Sequence, residues 1–528
     1  MIGHLFFKDC RLLYPLALIV AVLHLLNAVI SATIGAYMEP RELSVLATLL
    51  SYLSMLGVMA LTAAVVHQDP LTSTSEDFLV RPIRRRDLLL AKLLFVGLIV
   101  LGPVVVAGAL EGALSGFDLG RSLGAAFADA LSKFLLLALP AMALASVSRN
   151  LIELVAGSLL LFVISVGLMM LLSNARGQSP ALSGSGLEWI RPASIALLFL
   201  VIGAVVLPAQ YLRRTTLRSW GMIAFGGLLA AALWLFIPWA PSFAIQQGLG
   251  ARDARASRIT LTYAPEIGHF RQTEGSLAAG TRAESMNLVP LFVPLRFEGV
   301  APNEMLLMDR AVFRIRSGDG KTLFESADDP FGRNYARRMR EWRPAGATAA
   351  AQHSFLTFEE LPLPAVLFER LKGVAAAVEL DYSFTVMRPQ PEQILPALGG
   401  DDTAQGRRCL TRSDAEGDAV EVACLSPNKA PSCTSVFLRH DASGAENPPR
   451  EQCWADYTPY PLTLALRTVK RFGASIPFND AALASPYPVS ARLLKESHVV
   501  IVPYEAVSHA SGHVTIPAVR VGNWQPQP

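Results

Sequence analysis

Residues 89–113 read LLAKLLFVGLIVLGPVVVAGALEGA and contain only two ionisable side chains, Lys92 near the start and Glu111 near the end. A helix needs about 20 apolar residues to cross the hydrocarbon core of a bilayer, where every backbone group must bond within the helix. A soluble helix of this length would show a polar face, and this segment has none. We therefore predict that residues 89–113 span a membrane.

The whole first half of the chain has the same character. Seven stretches meet the length requirement, at residues 14–36, 44–66, 89–113, 122–147, 151–173, 192–210 and 219–240. Residues 1–240 carry 28 Asp, Glu, Lys and Arg side chains, whereas residues 241–528 carry 61. We predict a polytopic α-helical membrane bundle of about seven transmembrane helices over residues 1–240, followed by a soluble domain over residues 241–528.

Basic residues flank the predicted spans unequally, and this sets the orientation. With the N-terminus inside, the cytoplasmic segments hold Lys8, Arg11, Arg81, Arg84, Arg85, Arg86, Lys92, Arg149, Arg213, Arg214 and Arg218, and the outer loops hold Arg41, Arg121, Arg176 and Arg191. Cytoplasmic loops of membrane proteins are enriched in Lys and Arg. An odd number of spans then places residues 241–528 outside. We expect a bacterial inner-membrane protein with a cytoplasmic N-terminus and a periplasmic C-terminal domain.

The cysteines also differ between the cytoplasmic side and the outer domain. Cys10 lies on the predicted cytoplasmic side, and the other four lie close together in the outer domain, at Cys409, Cys424, Cys433 and Cys453. An even set in an oxidising compartment predicts two disulfides, although the sequence does not choose among the three pairings. Zinc is the alternative, but no short C-x₂₋₄-C spacing is present. A cleaved signal peptide over residues 1–32 is a further alternative, with an apolar run that is long for one.

The second half alternates apolar and polar residues in short runs such as AVFRIRS (311–317) and HVVIVPY (498–504), separated by turn residues. About ten such runs, with two weak helices near 334–342 and 363–372, predict a mainly-β, sandwich-like or jelly-roll-like domain. The segment 389–460 is poor in apolar runs, so we expect disulfides to substitute for a core there.

One short motif in this half invites a nucleotide-binding interpretation. Gly318-Asp319-Gly320-Lys321-Thr322 resembles the end of a phosphate-binding loop, but Ile315 stands where that loop requires glycine. Asp319-Gly320 between two alternating runs instead predicts a β-hairpin turn.

Few residues indicate catalysis or metal binding. H-E-x-x-H and G-x-S-x-G are absent from the second half, and His509 and His513 have no third ligand nearby in the sequence. We therefore predict no catalytic residues and no metal site. The net charge is only +3, without a basic stripe interleaved with aromatics, so nucleic acid is not an expected partner.

Polar side chains inside the predicted spans are the remaining candidates in the bundle. His24 and Asn27 lie in the first span, and Asp129 and Lys133 lie four residues apart in the fourth. Ionisable groups in hydrocarbon face a protein interior or a wet path. They either line a substrate path or form interhelical bonds, with Asp129 and Lys133 as a neutralised pair.

Two segments are predicted to lie at the cytoplasmic face. Residues 2–13 mix apolar and charged side chains and predict an interfacial helix, or else an irregular start to the first span. In the loop 67–92, Glu76 and Asp77 follow candidate caps, Pro82 ends the helix and Arg84 to Arg86 reach the membrane edge. This pattern predicts a short charged helix parallel to the membrane, or else a solvated loop.

The run HQDPLTSTSEDFLVRPIRRRDLLLAKLL (67–94) resembles the cytosolic segment of ABC-2-type transporter permeases. That segment has an acidic helix, a Pro-Ile or Pro-Val step, a basic patch and a leucine-rich span with an early lysine. The matching positions are Glu76, Leu79, Pro82, Ile83, Leu89 and Lys92. The resemblance covers residues 1–210. The sequence departs from the family in having Ser-Thr-Ser where Gly-Thr is common, and in adding a seventh span and an outer domain.

This resemblance implies the permease subunit of an exporter that works as a homodimer or pseudo-dimer. A separate ABC ATPase subunit would bind ATP and dock on the coupling loop, so no cofactor is expected in this chain. The implied coupling residues are Glu76, Asp77, Leu79, Arg81, Pro82, Arg84, Arg85 and Arg86. The substrate is unknown, and a further periplasmic partner is expected for the β-domain. The alternatives are a membrane-anchored binding, sensor or assembly module and a membrane-embedded enzyme.

Overall fold

The N-terminal half of the protein is helical. The computed structural model describes residues 1–37, 41–69, 84–176, 189–236, 239–249, 259–270, 288–300, 304–325, 337–339, 354–413, 419–427, 433–441, 450–453, 469–477 and 494–525. Its N-terminal helices are α1 (Ile2–Tyr37), α2 (Arg41–His67), α3 (Arg85–Phe95), α4 (Leu101–Leu114), α5 (Leu119–Lys133), α6 (Leu139–Val147), α7 (Leu151–Arg176), α8 (Ile190–Pro208), α9 (Thr216–Phe236) and α10 (Trp239–Leu249).

Short π-helical segments join some of these helices into longer ones. Val96–Val100 connects α3 to α4, Phe134–Ala138 connects α5 to α6, and Ala209–Arg213 extends α8. Because the helical path continues through each segment, α3–α4 and α5–α6 each form one helix long enough to cross a bilayer.

Within the described residues, six helical stretches have the length and apolar composition needed to cross a membrane. They are Ile2–Thr33, Val45–His67, Arg85–Leu114, Leu119–Val147, Ile190–Arg213 and Thr216–Leu233. The predicted span 151–173 falls on α7, of which the described apolar stretch Leu151–Leu161 is shorter. The helical half thus has the composition of a membrane protein, and the count of seven stays a prediction.

The start of the chain differs from expectation. No turn separates residues 2–13 from the first span, because α1 runs without a break from Ile2 to Tyr37. Leu5, Asp9 and Leu13, spaced four residues apart, form a buried face against the bundle. The predicted separate interfacial helix is therefore wrong, since tertiary packing makes these residues the first turns of the span.

The C-terminal region is mostly β. Among the described residues its strands are β1 (Thr260–Tyr263), β2 (Leu288–Glu298), β3 (Met305–Arg316), β4 (Thr322–Glu325), β5 (Arg337–Met339), β6 (Ser354–Pro364), β7 (Ala375–Pro389), β8 (Gln393–Pro396), β9 (Asp401–Ala404), β10 (Arg407–Ser413), β11 (Ala419–Ser426), β12 (Cys433–His440), β13 (Arg450–Cys453), β14 (Lys470–Pro477) and β15 (Ser497–Arg520), and the α-helix α11 (Ala365–Leu371) lies between β6 and β7.

These strands form one long sheet and two smaller ones. The long sheet has the order β13-β12-β15-β7-β3-β4, with β5 beside β3 and β8 beside β15. The sheet β1-β2-β6 shares an apolar core with β3, β7 and β15. The sheet β14-β11-β10-β9 shares a second core with β8, β12 and the first part of β15. Two small sheets packed on a long one give a sandwich-like architecture with two cores.

Several local predictions can be compared with these elements. The turn at Asp319-Gly320 is confirmed, because β3 and β4 pair across it and Gly320 has φ +82°. The helix near 363–372 is confirmed as α11, whereas the one near 334–342 is wrong over Arg337–Met339, which pairs with β3. The described parts of 389–460 also contribute to an apolar core, so disulfides do not replace a core there.

The cysteines pair between neighbouring antiparallel strands. Cys409 on β10 lies opposite Cys424 on β11 and is bonded to it. Cys433 on β12 is also disulfide-bonded, and its register partner on β13 is Cys453. Cys10 is a free thiol. The sheet register thus supplies the pairing that the sequence left open.

Peptide mapping under non-reducing conditions is expected to recover the Cys409–Cys424 and Cys433–Cys453 linkages, with Cys10 alkylated. Cys409→Ala together with Cys424→Ala should lower the free energy of unfolding of the β-region by about 2–4 kcal/mol, because the unfolded chain loses a loop constraint. Cys10→Ala is the control and should leave β-region protease resistance unchanged. Recovery of a Cys424–Cys433 linkage would contradict the register.

Candidate functional site

Four charged side chains meet at one end of the helix bundle, and we call them the ionic clamp: Lys8, Asp9, Asp69 and Lys92. Lys92 Nζ lies 2.8 Å from Asp9 Oδ2 and 2.6 Å from Asp69 Oδ2. Lys8 Nζ lies 2.7 Å from Asp69 Oδ1 and 3.5 Å from Asp9 Oδ1. The side chains of Lys92 and Asp9 are 0% exposed. Two cations and two carboxylates therefore neutralise one another, with Lys92 and Asp9 fully enclosed and Lys8 partly exposed.

Three separate segments supply these groups. On α3, Lys92 shares a buried face with Leu88, Ala91 and Phe95, so helical spacing carries its ammonium inward. On α1, Asp9 lies between buried Leu5 and Leu13. Asp69 ends the turn after α2, where its amide donates to the carbonyl of Val66. The clamp thus joins the starts of α1 and α3 to the end of α2.

The energetics of such a cluster depend on its being complete. Moving a charge out of water costs several kcal/mol, and the partner charges offset that cost only when the geometry is good. Burial alone would raise the pKa of Asp69, but Lys92 and Lys8 outweigh this effect and lower it below the usual 3.8. The contribution of Asp69 to stability is therefore present at neutral pH and is lost as the pH falls through this lowered pKa.

Two further contacts surround the clamp. Tyr211 is fully buried within electrostatic range of Asp9 and Asp69, and its hydroxyl has no hydrogen-bond partner among the described residues. His67 Nε2 lies 3.0 Å from the hydroxyl of Ser148, which ties the end of α2 to the end of α6. Five helices therefore converge at this end of the bundle.

The predicted coupling loop begins and ends at this site. Glu76, Asp77, Leu79, Arg81 and Pro82 lie outside the described residues. Asp69 is the last described residue before that loop, and Arg84 is the first after it. Arg84 precedes α3 in an extended conformation, and Arg85 and Arg86 are exposed in its first turn. The clamp therefore fixes the point where the loop leaves the bundle, and Lys92 lies two turns beyond its return.

The polar residues predicted within the spans form separate contacts. Lys133 Nζ lies 2.6 Å from Asp129 Oδ2, so the spacing correctly predicted this pair. His24 is buried within electrostatic range of Lys133, and its Nε2 has no hydrogen-bond partner in the described part of the chain. Asn27 Oδ1 accepts a hydrogen bond from Ser51 on α2 at 3.0 Å. Asp129 and Lys133 thus form the neutralised pair, and Asn27 forms an interhelical hydrogen bond.

The β-region contacts the opposite end of the bundle. In the turn between α4 and α5, Phe117 packs against Leu425 and Val469. The carboxylate of Glu111 accepts a hydrogen bond from the Val469 amide at 3.3 Å. On α10, Gln246 Nε2 lies 3.1 Å from Nε2 of His509. Since α3–α4 runs from the clamp to Glu111, the clamp and the β-region lie at opposite ends of the helices.

The histidines singled out from the sequence lie on β15 in different environments. His509 contacts Gln246 and Thr385, whereas His513 Nδ1 lies 2.7 Å from Asp381 Oδ1. No group of three or more His, Cys, Asp or Glu side chains is arranged to hold a metal within the described ranges.

Most of the clamp was not identified from the sequence, although signals were present. From the sequence, Lys92 stands out as an ionisable residue of an apolar span, a cytoplasmic basic residue and part of the family motif, and Lys8 only as a cytoplasmic basic residue. Asp9 and Asp69 are not singled out. A lysine at the fourth position of an apolar span requires a counter-charge. Asp9 lies on the same helix face as Leu5 and Leu13, which are the apolar residues four positions before and after it. These two facts identify both partners as buried charges.

A scan against protein-family models and a search of curated proteins both found no match for this chain.

Replacing Lys92 with methionine should destabilise the protein by about 3–5 kcal/mol, because it leaves Asp9 buried without its main cation. The double variant Lys92→Met/Asp9→Asn should recover part of this loss. Lys8→Met is the matched control, since Lys8 is about one-third exposed and both Lys92 contacts survive. Thermal unfolding in detergent measures the stability of the three variants. An equal loss of stability in Lys8→Met and Lys92→Met would contradict the clamp.

Proposed function

We propose that this chain is the membrane-spanning permease subunit of an ABC-2-type exporter, driven by a separate ATPase subunit that docks on residues 70–86. The observation that supports this proposal most is the ionic clamp. The segment that resembles the family's coupling loop leaves and re-enters the bundle at a buried charge cluster that joins three helices. A loop that only connected two spans would not require such an anchorage.

The clamp gives the proposed coupling a physical route. A force on the loop acts on Asp69 at one end and on the start of α3 at the other. Asp69 and Lys92 are bonded to each other and, through Asp9, to α1. Buried charges resist separation strongly, so these elements move as one unit when the loop is displaced. ATP-driven closure of the partner would thereby tilt α1 and α3 together and open the bundle alternately to either side.

The placement in the membrane is part of the same proposal. The arginine-rich end of the bundle carries the free thiol Cys10, and the region at the other end contains the Cys409–Cys424 disulfide. Thiols persist in the cytoplasm and disulfides in the periplasm. This supports an inner-membrane protein with its N-terminus in the cytoplasm and its β-region in the periplasm, where it would receive cargo or a partner protein.

An anchored binding or sensor module is the second candidate. It is favoured by the direct packing of the β-region on the α4–α5 turn and on α10. In that case the β-region, fused to one unrelated span, would keep its function. Loss of function on that exchange, with the fused domain still folded and disulfide-bonded, would leave the transporter proposal as the better explanation.

An ABC ATPase subunit from the same organism is expected to co-purify with this chain. Glu76→Lys should remove this association by reversing a charge on the proposed docking helix. Asp69→Asn should retain the association but uncouple ATP hydrolysis from export, because the loop keeps its docking surface and loses part of its anchorage. Arg149→Gln, an exposed substitution at the same end of the bundle, is the control and should change neither.

Co-purification measures the association with the ATPase, and export per ATP hydrolysed measures the coupling. If no ATPase associates with the intact chain, or if Glu76→Lys leaves both association and export intact, the transporter proposal fails.

A further inference from the structure

Six arginines gather at the same end of the bundle as the clamp, and we call them the arginine cluster: Arg84, Arg85, Arg86, Arg213, Arg214 and Arg218. The candidate span Arg85–Leu114 begins there, Ile190–Arg213 ends there and Thr216–Leu233 begins there. All six arginines therefore lie at or beside the ends of candidate spans on one side of the bundle.

The structure holds the two basic segments together, although they are far apart in the sequence. Arg85 Nη1 donates to the carbonyl of Leu212 at 2.7 Å, and α3 packs against the π-helical segment Ala209–Arg213. Arg214, which ends that segment, has a left-handed backbone with φ 55°. Non-glycine residues rarely adopt this conformation. The α8–α9 turn thus lies beside the start of α3, with Arg214 within electrostatic range of Arg85.

The six arginines form no ion pair within the described part of the chain. The ion pairs of the first three helices and the turn after α2 involve Lys8, Asp9, Asp69 and Lys92 and none of these arginines. Burial and the nearby charge of Arg85 lower the pKa of Arg214, whose Nε is buried without a hydrogen-bond partner among the described residues. By contrast, the ionic clamp balances two lysines with two aspartates.

The surroundings of the cluster indicate what kind of anion fits. Exposed leucines lie directly beside the arginines, with Leu90 on α3, Leu212 before the turn and Leu217 after it. Leu217 is 87% exposed. A site for a soluble anion would not require this apolar margin. A phospholipid satisfies both parts, because its headgroup is anionic and its acyl chains cover leucine side chains.

We propose that the arginine cluster is a binding site for an anionic phospholipid, with the phosphate held between the start of α3 and the α8–α9 turn. Guanidinium groups bind phosphate oxygens in a bidentate manner, which suits them better than lysine to a defined site. Basic pockets between transmembrane helices on the cytoplasmic side bind such headgroups. The lipid would supply the counter-charge that the described chain lacks and would join α3 to α8 and α9. This site does not depend on a coupled ATPase.

The test uses the full chain in detergent with lipids of matched acyl chains. Native mass spectrometry is expected to show retention of phosphatidylglycerol over phosphatidylcholine, and phosphatidylglycerol should raise the unfolding temperature. In the double variant Arg85→Gln/Arg214→Gln, affinity for phosphatidylglycerol should fall about ten-fold or more, because two charge-assisted hydrogen bonds are lost. Unfolding in phosphatidylcholine alone checks that this variant still folds.

The matched control is Arg11→Gln/Arg149→Gln, which removes two exposed arginines at the same end of the bundle but outside the cluster. This control should retain the preference for phosphatidylglycerol. An equal loss in both double variants would show only a diffuse attraction to the membrane surface and would overturn the proposal. So would equal retention of the two lipids. Inorganic phosphate that displaced phosphatidylglycerol at equal concentration would identify a free-phosphate site instead.

Discussion

Lys92 carries a positive charge with no access to water, and the arrangement of this end of the bundle follows from that fact. An ammonium group in such a place must have carboxylates within contact distance, because nothing else nearby offsets the cost of its desolvation. Asp9 and Asp69 supply them, and each comes from a different segment. The start of α1 and the end of α2 are therefore fixed to α3 at defined positions along their axes. Apolar packing alone specifies the relative axial positions of these helices less strictly, because leucine contacts at successive turns have similar energies.

The ionic clamp and the arginine cluster both reflect the cost of removing a charge from water, the clamp inside the bundle and the cluster on its exposed end. Lys92 is fully enclosed, so its counter-charges must come from the chain itself. Arg84, Arg85 and Arg86 are exposed at the start of a candidate span, where water or, in the proposed site, lipid headgroups can accept their hydrogen bonds. One α-helix thus places its first basic residues in contact with its surroundings and its last one in a closed interior. The sequence distance from Arg86 to Lys92 is less than two helical turns, which makes the change of environment abrupt.

The sequence predicts interactions between residues that are close in the chain and does not predict those between distant residues. Apolar length and charge asymmetry are local, so the helical half, the β-rich half and the Asp129–Lys133 pair were predictable from residues close in the chain. The clamp was not, because Lys92 meets Asp9 across 83 positions and no local pattern specifies which charges come together. The β-region shows the same division. The run 498–504 predicts one short strand, but β15 continues beyond it to Arg520, with irregular register after Ala506 and Ile516. Disulfide pairing likewise followed only from sheet register.

The two ends of the molecule are connected by one helical rod. Lys92 lies near the start of the continuous helix formed by α3, Val96–Val100 and α4, and Glu111 lies near its end, roughly 30 Å away at 1.5 Å per residue. At one end the rod is held by two carboxylates, and at the other Glu111 accepts a hydrogen bond from the β-region. The π-helical turn at Val96–Val100 is the place along this rod where the backbone pattern changes, and such turns often mark functional positions in helices. Because a helix transmits displacement along its axis, the proposed transporter function would carry a shift of the clamp to the β-region through this one helix. The residues that the structure supplies for that route are Lys92 at one end of the helix and Glu111 at the other.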